Sequence, residues 1–401
     1  PLLDEWLSLA AAKHFVAPPE HLPALLTMAT VRTELRPLVL PVLGARGRWL
    51  ARQEAKWAWA ADVAAGPPSV EEEEKAWETG TADARATALA RVRRVDPALA
   101  RGWLERAWPK AGAKERVALF NALGVGLSPD DEEFLDAALD DRRREVRDAA
   151  ARFLRLLPGS RLVARMTERA RSLLRLEKPA SGLLARLAGS GGKPRLRVEL
   201  PAAYTPEMKR DGIDEKPHAG GERAYWLTQV VAATPPSVWS AEAPPAVWLE
   251  IVPPEWKNVL PGAWAAAAAA YRDAEWAEAL LRSPFREVDV RLADLVGALS
   301  AERYRALLAE LLGRVREVHW GHRSTQLLVA APHPLDAGLT RLVLERIDPH
   351  AATNEYLMAT AAQRMDPRAT LDALSARNPA PSGRWVDLLH QRHALHEAFA
   401  S

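Results

Sequence analysis

The chain contains no cysteine. Disulfides, thiolate metal sites and cysteine nucleophiles are therefore excluded, and a reducing compartment is compatible. It also lacks any run of about 18 or more apolar residues, the length a membrane-crossing helix needs. Its least polar stretch, Ala263 to Ala270, is mostly alanine and leads straight into Tyr271-Arg272-Asp273. No signal peptide is visible in a chain that starts at Pro1, so the expectation is a cytoplasmic protein without membrane contact. There is no His-Glu-x-x-His, no phosphate-binding glycine loop and no Gly-x-Ser-x-Gly. The sequence thus gives no grounds to expect a catalytic residue, a cofactor or a metal, and an enzyme is the less favoured class.

Of 401 residues, 48% are apolar and 26% charged, a globular composition able to bury a sizeable core. The length suits two or three ordinary domains or one long repeat array. The 31 prolines are spread along the chain, as expected of punctuation between many short helices. A net charge of +2 hides an asymmetry: residues 1–200 carry +6 and residues 201–401 carry −4. Residues 152–197 hold twelve basic side chains against Glu168 and Glu177.

Residues 79–176 show the clearest order. Thr81 can cap a helix through about Arg94, with Ala84, Ala88, Val92 and Val95 on one stripe. Asp96-Pro97 opens a second to about Trp108, and a third runs from about Ala113 to Val125. Ser128-Pro129-Asp130-Asp131-Glu132 starts a fourth to Leu139. Asp140-Asp141 caps a fifth over about Arg142 to Leu157, and Ser160 a sixth to about Leu176. Starts recur every 16 residues or so, giving a helical pair about every 30 residues, the period of helical-hairpin repeats. Phe134 to Leu154, with an acidic turn before Val146-Arg147-Asp148-Ala149-Ala150, resembles the HEAT motif.

Residues 189–222 interrupt the pattern. Gly189-Ser190-Gly191-Gly192 reads as a turn, Leu196 to Leu200 as a short strand or extended arm, and the glycines and prolines that follow allow no long helix. Helices resume over Arg223–Ala233 and, after the proline pairs at 235–236, 244–245 and 253–254, from about Glu255 to the end. The expected fold is all-α: a HEAT-like helical-hairpin solenoid interrupted by an irregular proline/glycine-rich segment. Its expected parts are an N-terminal repeat region 1–188, an irregular insert 189–254 with one helix, and a C-terminal repeat region 255–401.

Several blocks resemble an uncharacterised bacterial family defined by a domain of unknown function. They are Gly44-Ala45-Arg46-Gly47-Arg48-Trp49 with Trp57, Trp77-Glu78-Thr79-Gly80 leading to Asp96-Pro97, Leu127 to Pro158, and Arg210-Asp211-Gly212-Ile213 with Gly221 to Leu227 and Pro235 to Trp239. Together they span about 44 to 239. The resemblance implies genes near MoxR-type AAA+ ATPases and von Willebrand factor A domain proteins, hence a role in a chaperone-like assembly. One departure is Arg52 to Lys56, where the family pattern has Asn-Pro.

Three clusters are candidate sites. Arg46, Arg48 and Trp49 form a turn that presents arginine forks and an indole to a partner, against the plainer reading of Trp49 and Trp57 buried behind a glycine C-cap. Arg210, Asp211, Glu222 and Trp226 lie in and after the irregular segment as a second partner-binding set, or as a salt-bridged linker. Asp211 and Glu222 would also centre any small-molecule or metal chemistry. Arg161, Arg165, Arg169 and Arg175 form a phosphate-contacting strip if the protein binds nucleic acid in the manner of HEAT-like DNA glycosylases; the plainer reading is a face paired with acids of neighbouring repeats. His319/His322 and His390/His393/His396 have helical spacing, and a solvated face is the expectation for the latter. Most of the 15 tryptophans should be core, with Trp239, Trp248 and Trp256 lining a groove. The leading expectation is a non-enzymatic scaffold that holds a protein partner. Nucleic-acid binding through 152–197 is the alternative, and no oligomeric state is implied.

Overall fold

The computed structural model describes residues 2–61, 69–177, 194–217, 220–316, 322–330, 333–349, 351, 354–377 and 381–400. The expected turn at 189–192, His218 and His319 lie outside the described residues.

Three of the first nine helices begin where Thr81, Asp96 and Ser160 predict. In chain order, α1 spans Leu2–Ala12, α2 Leu22–Val31, α3 Gly44–Gln53, α4 Ala82–Val95 and α5 Pro97–Ala107. They are followed by α6 (Ala113–Ala122), α7 (Glu132–Ala138), α8 (Arg144–Arg155) and α9 (Arg161–Leu173). Thr81 accepts the Ala84 amide hydrogen, Asp96 that of Leu99, and Ser160 that of Val163. Each bond satisfies an otherwise orphaned donor of a first turn and contributes about 1 kcal/mol. Asp140-Asp141 works differently from expectation. Arg143 occupies the N-cap position of α8 without a side-chain bond, and Asp141 accepts from the Arg143 amide at 2.8 Å and pairs with Arg116 at 2.8 Å.

Helix α9 stops at Leu173, three residues before the expected end. Leu174–Glu177 leaves it as strand β1 and pairs antiparallel with β2, Arg195–Val198, Leu174 opposite Val198. Period-two alternation explains the switch: Leu174, Leu176, Leu196 and Val198 share the more buried face, and Arg175, Glu177, Arg195 and Arg197 are exposed. The remaining named helices are α10 (Pro206–Arg210), α11 (Glu222–Ala232), α12 (Leu260–Ala270), α13 (Ala274–Arg282), α14 (Ala337–Arg346), α15 (Pro367–Ser375) and α16 (Arg384–Ala400). The protein is predominantly helical, and the two-stranded ribbon is the only sheet among the described residues.

Two compact units divide the chain. The first comprises Pro1–Lys75, Leu312–Val329 and His333–Ser401; the second comprises Ala76–Leu311 and Ala330–Pro332. The breaks expected at 188/189 and 254/255 both fall inside the second unit. In the first, α1 packs on α16, α16 on α15, α15 on α14, and α2 on α3. Arg392 of α16 closes this unit chemically. Its guanidinium bonds both Glu5 oxygens at 2.7 and 2.8 Å and the carbonyls of Ala362 and Met365, while His396 Nε2 lies 2.6 Å from Glu5.

In the second unit, α4 packs on α5 and α6, α6 and α7 on α8, α8 on α9, α9 on α11, α11 on α12 and α12 on α13. Small residues permit the close approaches: Ala149, Ala150 and Ala151 of α8 and Ala263, Ala265, Ala267 and Ala268 of α12 are all buried. Trp239, Trp248, Trp264 and Trp276 stack in sequence with centroids 5.4, 6.2 and 5.3 Å apart. All four are at most 1% exposed. Trp239 and Trp248 therefore do not line a groove: the paired prolines fold back to close a core, and only Trp256 stays half-buried. Each buried indole removes about 150–250 Å² from water, worth about 4–6 kcal/mol of gross hydrophobic free energy.

Candidate binding site

Within the irregular segment, residues 204–216 form a pinned loop. Thr205 caps the short α10 through the Met208 amide, and α10 ends at Asp211. Asp211 is 1% exposed because two arginines of α9 grip it: Arg165 at 2.6 to 3.1 Å and Arg169 at 2.5 Å. Arg165 and Arg169 are one helical turn apart, so both forks reach one carboxylate. Asp136 of α7 lies beside them, 3.3 Å from both Arg165 and Arg210. Burial alone would raise the Asp136 pKa, but the bonds and charges of Arg210 and Arg165 outweigh it and hold the carboxyl below its ordinary value. Arg210 also clasps Asp140 with two bonds of 2.9 and 3.0 Å. A chain of alternating charges thus ties α7, α9 and α10 together.

Beyond Asp211 the loop turns at Gly212, whose φ of +78° is a left-handed conformation. A Cβ there would lie 2.9 Å from the Cβ of Ala151 on α8, so glycine is required by backbone and packing together. The next residues are held to α11. Trp226, 5% exposed, donates from Nε1 to the Glu215 carbonyl at 2.7 Å. The Gln229 amide accepts from the Asp214 N–H at 2.8 Å and donates to its carbonyl at 3.1 Å. Tyr204 donates its hydroxyl to the Ile213 carbonyl at 2.6 Å and stacks 5.6 Å from Trp226. Arg144, at the start of α8, reaches Asp214 at 2.8 Å.

This geometry brings several sequence candidates together and scatters others. Arg210, Asp211, Arg165 and Arg169 meet in one network, and Trp226 braces the same loop from behind. Glu222 sits exposed on the first turn of α11, and no described residue bonds it. Arg161 engages Glu132 at 3.2 Å, whereas Arg175 is on β1, directly across from Arg197. Three of the four arginines in the supposed phosphate strip are thus committed to carboxylates. The described residues contain no group of three or more His, Cys, Asp or Glu able to hold a metal. His396 is bound to Glu5, His393 lies 3.4 Å from Glu397, and His322 Nδ1 lies 2.6 Å from the Ser324 hydroxyl.

Arg46, Arg48 and Trp49 stand elsewhere, in the first unit. They do not form a turn but belong to α3, which opens at Gly44 with φ +58°. Gly47 is buried against Leu43 and Leu22, which turns the opposite face outward. Trp49 is 56% exposed, while Trp57 is buried as expected. Arg46 and Arg52, three residues either side of Trp49, are exposed, and Arg48 is half-buried. Among the described residues no carboxylate pairs with any of these three arginines. Arg52 was missed in the sequence, although its i+3 spacing from Trp49 was available once a helix was assigned.

These features define a predominantly helical protein whose helices and irregular loop are locked by arginine–carboxylate networks, with one arginine–tryptophan face left uncommitted. A family model matches residues 1–399, and the chain belongs to that family, the family of unknown function DUF5691. No curated protein and no solved structure matches it. No helix among the described residues is long and apolar enough to cross a membrane.

Proposed function

We propose that the protein is a non-enzymatic scaffold of HEAT-like helical hairpins that holds a protein partner on α3. The observation that carries this reading is Trp49, more than half exposed between Arg46 and Arg52 on a helix whose other side is core. A large indole left in water forgoes several kcal/mol of burial, and tryptophan with arginine is the composition of binding hot spots. Unpaired guanidinium forks select an acidic partner segment. A role beside a MoxR-type ATPase and a von Willebrand factor A protein in a bacterial cytoplasm accords with this surface. The test is capture of those two proteins by the intact chain, beside Trp49→Ala and Arg46→Glu. Enrichment by the wild type and loss in both variants is expected; equal capture by Trp49→Ala, or none by the wild type, overturns it.

Nucleic-acid binding is a second reading, supported by the ribbon. Arg175 lies across β1 and β2 from Arg197; Glu199 at 3.0 Å and Glu177 at 3.7 Å take up the charge of Arg197, which leaves Arg175 as the exposed cation that no described carboxylate pairs. Duplex binding measured at two salt concentrations decides: affinity that falls steeply with salt supports it, and no binding at low salt removes it.

A further inference from the structure

A cavity of about 330 Å³ opens in the second unit between the first turns of α8, the 204–216 loop and α11. Its charged lining is unevenly committed. Arg144 is neutralised by Asp148 and Asp214, both of which also line the cavity. Arg147 uses only Nη1, which donates to the carbonyls of Asp141 and Arg142 at 2.8 and 3.1 Å. Its other donors, and the ammonium groups of Lys209 and Lys216, bond no described residue, and Glu215 is the only lining carboxylate besides the two that Arg144 holds. The Tyr225 hydroxyl is likewise uncommitted, and the Tyr204 and Tyr225 rings supply the apolar wall.

A further cation lies behind the wall. Arg155 of α8 approaches the Gly212 carbonyl at 3.4 Å, and its buried Nε meets no acceptor. Burial pulls its pKa below the ordinary arginine value, against the opposing pull of Tyr271, Asp148, Asp211 and Asp214. Among the described residues the lining carries four cations and three anions, and Arg155 raises that balance to +2. In a half-enclosed site such a surplus selects an anion of matching charge.

We propose that this cavity binds a small phosphate monoester carrying an aromatic or similarly flat group. A phosphate monoester brings about −1.5 to −2 charges near neutral pH and three acceptor oxygens. The Arg147 fork, Lys209 and Lys216 supply donors to those oxygens, and the tyrosine rings hold the flat group. The volume stands at the low end of ligand sites, which run from about 300 to 1,000 Å³, so a molecule no larger than a mononucleotide fits. The site is distinct from the α3 face and does not depend on it.

Phenyl phosphate is the probe, titrated calorimetrically into the full chain at low salt, beside inorganic phosphate and benzoate. Phenyl phosphate should saturate and bind more tightly than either, because inorganic phosphate lacks the ring and benzoate carries one charge. Lys209 and Lys216 are exposed, so Lys209→Ala/Lys216→Ala should fold as the wild type does by circular dichroism and weaken phenyl phosphate by about tenfold or more. Arg147→Lys should weaken it too, since an ammonium cannot replace the fork. Absence of saturable binding up to about 1 mM, or an affinity unchanged in the double variant, overturns the proposal. Benzoate binding as tightly as phenyl phosphate overturns the assignment to phosphate.

Discussion

Changing Asp131 to Asn should destabilise the second unit more than most single substitutions in this chain. Asp131 and Arg93 are both fully buried. The carboxylate accepts four bonds: two from Arg93 at 2.7 and 3.1 Å, one from Arg101 at 3.0 Å and one from the Ser128 amide at 3.0 Å. Arg93 also donates to the carbonyls of Val125 and Gly126. Asparagine keeps the shape but turns one acceptor into a donor facing a guanidinium, and leaves that guanidinium buried without its counter-ion. Breaking one side of a buried pair costs about 3–5 kcal/mol. At the larger urea m-values expected for a unit of this size, that is a midpoint shift of about 1–2 M. Near-ultraviolet circular dichroism in urea reads it through the tryptophan core. Acid supplies an independent check. Burial works to raise the Asp131 pKa, but the bonds from Arg93, Ser128 and Arg101 outweigh it and leave the group below 3.8. Its contribution is therefore complete above about pH 3.8 and lost as pH falls through the folded value, so the gap between wild type and variant should close in acid. The paired replacement Arg93→Met/Asp131→Leu should recover only part of the loss, because the Val125 and Gly126 carbonyls then lack donors at about 1–3 kcal/mol each. A midpoint within about 0.3 M of wild type for Asp131→Asn, or a gap that persists unchanged into acid, refutes the reasoning.

Gly212→Ala should cost about 2 kcal/mol, from the positive φ and the 2.9 Å approach to Ala151, and should accelerate amide exchange over 211–216 before it lowers global stability. Trp49→Ala should leave thermal stability within about 0.5 kcal/mol of wild type, since the ring is mostly in solvent, while partner capture is lost. Glu5 is subject to the same linkage as Asp131: burial works against its charge, but Arg392 and His396 hold its pKa below 4.5. The first unit should therefore lose stability as pH drops below about 4.5, and Glu5→Gln should flatten that dependence in an acid titration of its unfolding.

The helices of 79–176 were legible because their signals are local. Thr81, Asp96 and Ser160 each bond an amide three residues on, and a reader of sequence needs no more than that span. Strand β1 was missed although Leu174-Arg175-Leu176-Glu177 alternates with period two; four residues following a long helical stripe are too few to outweigh it. The tryptophan stack was misread for another reason. Proline pairs ordinarily mark surface, and nothing local tells that Trp239 and Trp248 point towards Trp264 and Trp276, which arrive 16 to 37 residues later.

Arginine gives the sharper lesson about function. Arg161, Arg165 and Arg169 look, in sequence, like a strip waiting for phosphate, because the acids that meet them lie 25 to 46 residues away. No window short enough to show periodicity contains both partners. Charge counted along a predominantly helical chain therefore overstates what its surface offers, since adjoining helices carry the neutralising carboxylates. The same accounting, done in space, shows which cations are left over. Arg46 and Arg52 sit in an ordinary sequence context and keep their guanidinium groups unpaired beside an exposed indole, and Lys209 and Lys216 stay uncommitted within a loop whose other charges are spent on holding it in place. Binding is to be sought where a helix or loop is already fixed and its remaining cations have nothing left to fix, because only there does an incoming anion gain their charge without first breaking the fold.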